Sequence, residues 1–249
     1  MSLRRMCYCG PMSNAPSSLT RWVQPCIAGV KSNFRAGLVL QAFALVLLLA
    51  YGLSMETRAM LDQVGDLKLK HGYAYSSVST AVFGGLIPFL VLLAAGKVRA
   101  DQRAWVLLFY IGFWLWKGAE IDALYRAQAR WFGEDTDAVT IITKTAVDQF
   151  IYNPLWAGPT QMMFFLWKDS GFSASGVREA LERESFWLRL AVVLVSTWVV
   201  WIPAVAIIYC LPSALQIPLF SLVLCFWCLI LSFVSRQSQP TDPVEPQAA

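Results

Sequence analysis

Histidine is almost missing from this chain: His71 is the sole example in 249 residues. Charged side chains make up 14% of the sequence, against about 25% in a soluble domain. The first 55 residues contain no Asp or Glu at all. Each shortage excludes something. With one histidine there is no Ser/His, His/Glu or metal-ligand spacing, so no catalytic constellation is found and no enzyme activity, metal or cofactor is expected. No dense Lys/Arg block exists, so a nucleic-acid partner is not expected either. The low charge and high apolar content also argue against a soluble enzyme, a disordered chain and a disulfide scaffold.

What the chain has instead is apolar length. Hydrophobic residues reach 57%, with 11 tryptophans. A membrane-crossing helix needs about 20 apolar residues. Ala36–Met55 supplies 20 residues free of Asp, Glu, Lys, Arg and His, Gly72–Gly96 supplies 25, and Gln149–Trp167 supplies 19. Leu190–Ser235 is free of charge for 46 residues, about 69 Å as one helix, so it must turn back, and Leu211-Pro212-Ser213 is the expected place. Ala104–Trp116 is short, at 13 residues, but its helical pattern continues through Arg126. Inside lipid only helices and closed barrels satisfy the backbone, and these runs do not alternate as barrel strands do. The fold class expected is therefore all-α: a polytopic transmembrane bundle of about six helices over residues 36–236. Counting loops for six spans puts 13 of the 20 Lys/Arg on one side and 7 on the other. The positive-inside rule then places both termini on the cytoplasmic or matrix side.

The ends read differently. Residues 1–35 form a basic arm with Arg4, Arg5, Arg21, Lys31 and Arg35 among serines. A mitochondrial transit peptide has this composition, and so does a basic cytoplasmic tail, so targeting, a disordered arm and a tail all stay open. Residues 237–249 are Pro/Gln-rich and expected to be disordered, with no peroxisomal Ser-Lys-Leu ending. Cys7, Cys9 and Cys26 lack the spacing of a metal site. Cys225-Phe-Trp-Cys228 has redox-motif spacing, but in the middle of an apolar helix.

Small residues mark packing faces. Ser221, Cys225, Cys228, Ser232 and Ser235 fall on one face of a helix, and Ser77, Ala81, Gly84 and Gly85 make a second stripe. Close approach through small residues is how helices attract one another in lipid.

Polar residues in the wrong place carry the functional signal. Lys144 and Asp148 are four apart and can pair along a helix. Gln149, Tyr152 and Asn153 follow, then Asn153-Pro154, Gly158-Pro159, Thr160 and Gln161. A helix broken by Pro154 and Pro159 at membrane depth is tolerated only against protein or a wet cavity. One reading is a polar path lined by Lys144, Asp148, Gln149, Asn153 and Gln161. The other is that Lys144 and Asp148 mark the membrane edge while the amides tie helices together. Glu120, Asp122 and Arg126 form a second polar cluster, equally readable as an amphipathic turn at the interface. Pro203 and Pro212 are the remaining expected kinks.

Lys144-x3-Asp148-Gln149-x4-Pro154 resembles the central motif of the peroxisomal membrane protein 2/4 family, which has a mitochondrial inner-membrane member. Trp198-x2-Trp201-Ile-Pro203, Pro212, Trp227 and Leu231-Ser232 are similar to its C-terminal pattern, and Gly118-Ala119-x2-Asp122-x2-Tyr125 to its upstream motif. The likeness covers residues 108–235. The chain departs at Ala119, Asp122 and Leu124, over Val205–Tyr209, and at Gln216. The resemblance implies a small membrane protein, usually of four spans, given channel-like passage of small solutes in an organelle membrane.

Two functions follow. The first is a small-solute channel built on the 144–161 segment. The alternative is a non-conducting scaffold or assembly factor acting through the small-residue faces. A secondary transporter is disfavoured, because no internal repeat relates the halves. The partners expected are the lipid bilayer, small solutes and further copies of the chain as a homo-oligomer. The expected location is a peroxisomal or mitochondrial inner membrane in a eukaryote, or the cytoplasmic membrane of a bacterium.

Overall fold

The computed structural model describes residues 18–183 and 185–237, with side chains described for 23–24, 26–182 and 185–229. Helix follows helix throughout these residues. In chain order they are α1 (Ser18–Leu53), α2 (Met55–Thr80), a π-helical turn (Ala81–Leu86), α3 (Ile87–Ala94), a 3-10 turn (Ala100–Gln102), α4 (Arg103–Phe132), α5 (Ala138–Val147), a π-helix (Asp148–Ala157), α6 (Gly158–Asp169), α7 (Ala174–Arg183), α8 (Phe186–Tyr209) and α9 (Ser213–Gln237). The all-α expectation is met.

Four helical stretches are long and apolar enough to cross a membrane: Cys26–Leu53, Tyr73–Ala94, Ala100–Phe132 and Phe186–Tyr209. The six expected spans are therefore not all found as single long helices. Pro154 and the π-helix divide the 149–167 run, and Ser213–Leu229 is a shorter apolar helix. The doubt over Ala104–Trp116 is removed by α4, which runs 30 residues without a break. The 190–235 run does turn back where expected, between Tyr209 and Ser213. Residues 18–35, part of the expected basic arm, are the first half of α1, which continues through Pro25 and Gly29 into the run that starts at Ala36. Residues 1–17 and 238–249 lie outside the described residues, and with them Cys7, Cys9 and the tail.

The surface is that of a lipid-embedded chain. On α1, Leu40 and Ala44 are fully buried, while Leu38, Val39, Leu45 and Val46 are about half exposed. Such a contiguous apolar outer face is rare on a protein in water. Exposed Trp105, Trp167 and Trp187 sit near one set of helix ends and Trp131 near the other, as membrane interfaces favour. These features and the four long apolar helices are those of a chain suited to a membrane.

Close backbone approach sets the helix pairs. A Cβ on Gly118 of α4 would run into the Ser76–Ser77 backbone of α2, and one on Gly85 would meet the Tyr110 carbonyl at 3.0 Å. The ladder 76/118 then 85/110 makes the second and third helical passes antiparallel. Gly29 and Gly37 of α1 lie against Ser196 and Val200 of α8, so those two run in the same direction. Asn33 Nδ2 and Gln41 Nε2 fasten α1 to α8 by donating to the carbonyls of Ser196 (3.1 Å) and Val199 (2.8 Å).

The packing face on α9 is used inside the chain. Ser221 is fully buried and Cys225 nearly so. The side chains of Ser232 and Ser235 lie outside those described. Cys225 and Cys228 are not joined in a disulfide.

Candidate functional site

The site begins with a fault in a helix. Pro154 has no N–H. In the π-helix of residues 148–157 each carbonyl is matched to the N–H five residues on, so Gln149 is matched to Pro154 and its carbonyl is left without a donor. Trp198 of α8 supplies one, its Nε1 donating to the Gln149 carbonyl at 3.1 Å. Pro159 follows in the first turn of α6. Pro203 does not break α8, and Pro212 stands in the α8–α9 turn.

This segment lines a cavity of about 570 Å³ between α3, α4, the π-helix, α6, α8 and α9. Asp148, Gln149, Asn153 and Gln161 all border it, with Tyr152 and Lys117. Lys144 does not border it. The other walls are apolar and aromatic: Tyr110, Trp114, Phe165, Trp201, Phe220 and Trp227 among them. Lys97, Asp169 and Arg189 border one end, all from segments that meet at the α4 N-terminal side. Tyr125, Asp148 and Val205 border the other. Along α4 the lining runs from Tyr110 to Tyr125, about 22 Å of helix. The cavity is thus long, and it follows the bundle axis.

The far end is closed by a polar layer. Asp148 is buried, and its carboxylate accepts from Tyr209 Oη at 3.1 Å and from Gln149 Nε2 at 2.9 Å. Tyr209 is the last residue of α8 and stacks obliquely on Tyr125, with centroids 5.2 Å apart. Asp148 therefore lies level with the end of a long helix and also borders the cavity. The expected Lys144–Asp148 pair is not formed. Lys144 is buried with its Nζ 5.8 Å from the Tyr209 ring centroid, since the tyrosine ring occupies the space where the two side chains would meet.

The second expected cluster is split. Residues two apart on a helix point away from each other, so Glu120 and Asp122 cannot share partners. Glu120 accepts from Lys117 Nζ at 2.7 Å and from Tyr152 Oη, facing the π-helix. Lys117 also donates to Thr160 Oγ1 at 3.1 Å. Asp122 turns to α2. It is fully buried, accepts from Ser76 Oγ at 2.8 Å and from Arg126 at 3.0 and 3.2 Å, and has Lys68 Nζ at 3.4 Å. Gly72, with φ +52°, bends α2 one turn before Ser76. Asp122 is thus a buried anchor between α4 and α2.

Lys117, Lys68 and Tyr209 were not singled out from the sequence. Lys117 merely bounded a short charge-free run, yet a lysine buried that deeply needs a partner three or four residues away, and Glu120 was there to be seen. Lys68 and Tyr209 come from elements distant in the chain, and no local signal marks them.

No protein-family model, curated protein or solved structure matches the chain.

Proposed function

We propose that this chain is a channel for small solutes, of the peroxisomal membrane protein 2/4 type that its 108–235 motifs resemble. The observation that carries this reading is the cavity itself, bordered by Lys97, Asp169 and Arg189 at one end and by Asp148, Tyr125 and Val205 at the other. Buried polar groups without partners, Gln149 Oε1 and Glu120 Oε2, suit a bundle interior reached by water better than a dry core.

In this reading the broken α5–α6 segment and α9 also cross the bilayer, which makes six passes. Both termini lie on the cytoplasmic or matrix side, together with the Lys97–Arg189 end of the cavity. The membrane is that of an organelle, peroxisomal or mitochondrial inner, or the cytoplasmic membrane of a bacterium. The chain acts without enzymatic chemistry, alone or as a homo-oligomer. The scaffold reading needs the Ser221–Cys228 face for a partner, and burial of Ser221 and Cys225 inside the bundle removes that support.

Purified protein in planar bilayers tests the proposal. Conductance above the empty bilayer, changed in Asp148→Asn or Gln149→Leu, is the result expected. No current above background rejects it.

A further inference from the structure

The cavity pairs an apolar, aromatic-walled body with an acidic floor. Asp148 is the ionisable group of that floor, and among the described residues no Lys or Arg nitrogen lies within 4.0 Å of its carboxylate. The charged and titratable groups around it are accounted for. Lys144, one turn earlier on α5, stands over the Tyr209 ring. Lys117 on α4 is held by Glu120. Tyr209 on α8 donates to Asp148, and Tyr152 on the π-helix donates to Glu120. Tyr125 on α4 packs against Tyr209.

Two donors reach the carboxylate, one on each oxygen, and an ionised carboxylate has about four acceptor sites. Acceptor capacity therefore remains. Gln149 adds more: it is 3% exposed, it borders the cavity, and its Oε1 has no partner among the described residues. A carboxylate in such a setting is costly unless it takes up a proton or a cation joins it, and an ammonium can supply either the charge or the proton. The walls are Trp114, Phe165, Trp201, Phe220 and Trp227, flat faces that attract both apolar bodies and cations. The volume lies within the usual range for a small-molecule site. Lys97, Asp169 and Arg189 border the opposite end, so the cavity carries groups of both signs there and an acid alone at the floor.

We infer that the cavity binds amphipathic organic cations, primary or secondary amines on an aromatic or aliphatic body, with the ammonium at Asp148 and Gln149. This names a solute class for the passage proposed above and rests on that reading only for transport, not for binding.

The test uses the full chain in lipid nanodiscs, with empty nanodiscs as background. Binding of phenethylammonium is compared with that of 2-phenylethanol and phenylacetate, which keep the ring and change the head. Saturable binding of the amine at least tenfold tighter than of either analogue is expected, with the preference lost in Asp148→Asn. Equal binding of all three probes, or a preference for phenylacetate, overturns the inference in the wild-type protein alone, whatever the variant does. A folded Asp148→Asn protein that keeps the preference overturns it as well. Vesicle flux separates the two proposals. Amine binding without flux removes the channel and leaves the site, whereas flux of neutral solutes without amine preference does the reverse.

Discussion

Trp198 Nε1 and the Gln149 carbonyl oxygen lie 3.1 Å apart, a hydrogen bond from α8 to the one carbonyl that Pro154 leaves without its π-helical donor. The bond couples the broken segment to its neighbour and fixes where Asp148 and Gln149 sit against the cavity.

Removing that donor has a calculable effect. Trp198→Phe leaves a buried carbonyl unpaired, at a cost of about 1–3 kcal/mol. In Pro154→Ala an N–H returns five residues after Gln149, and the loss on Trp198→Phe should shrink. A double-mutant cycle on unfolding in mixed micelles measures the coupling. Additive costs contradict the account.

Asp122 is the second anchor. Ser76, Arg126 and Lys68 all converge on its buried carboxylate. Breaking a buried, multiply bonded charge costs about 3–5 kcal/mol, so Asp122→Ala should be among the most destabilising substitutions. Ser76→Ala removes one charge-assisted bond and should cost about 1.5–3 kcal/mol. Unfolding midpoints in mixed micelles give both values.

Gly118 is where α2 and α4 touch. An added Cβ meets the Ser76 and Ser77 backbone, which cannot rotate away as a side chain can. Gly118→Val should therefore cost about 1–3 kcal/mol by overpacking and pull Ser76 away from Asp122. Gly112, with open space around its Cβ position, should tolerate alanine with little change.

Most of this architecture was legible in the sequence, and the reasons for the rest are physical. Charge-free runs fixed where helices lie, because lipid leaves no other option for the backbone. The turn at Pro212 followed from length alone. The polar residues Asp148, Gln149, Asn153 and Gln161 could be read as a set from their spacing, and all four border one cavity. Partners could not be read. Lys144 and Asp148 have the spacing of a pair, but Tyr209, 61 residues on, takes the carboxylate. Glu120 and Asp122 are neighbours in sequence, yet helix geometry sends one to the π-helix and the other to α2. The length of α1 was underestimated because charge marks the edge of a membrane span, not the end of a helix.

The start of α5 carries a pH-dependent cap outside the bilayer. Asp137 accepts from the Thr140 hydroxyl at 2.6 Å and from the Thr140 and Val139 N–H groups. The Thr140 hydroxyl is the main reason its carboxyl lies below the ordinary aspartate range. A lowered folded-state value means that the cap's contribution is complete above the ordinary aspartate pKa and is lost as pH falls through the depressed one. The gap in thermal stability between wild type and Asp137→Ala should therefore be full at neutral pH and close in acid. A gap that widens in acid contradicts this.

The cavity's contact with water is what everything functional depends on. In a chain whose native cysteines are replaced, Gln161→Cys borders the cavity, whereas Leu155→Cys stands on the outer face, where Leu155 is 74% exposed. Reaction with a charged, membrane-impermeant methanethiosulfonate reagent in sealed proteoliposomes compares them directly. The account predicts that Cys at 161 is modified from the Lys97–Arg189 side while Cys at 155, against lipid, is spared. Protection of 161 together with modification of 155 would contradict it.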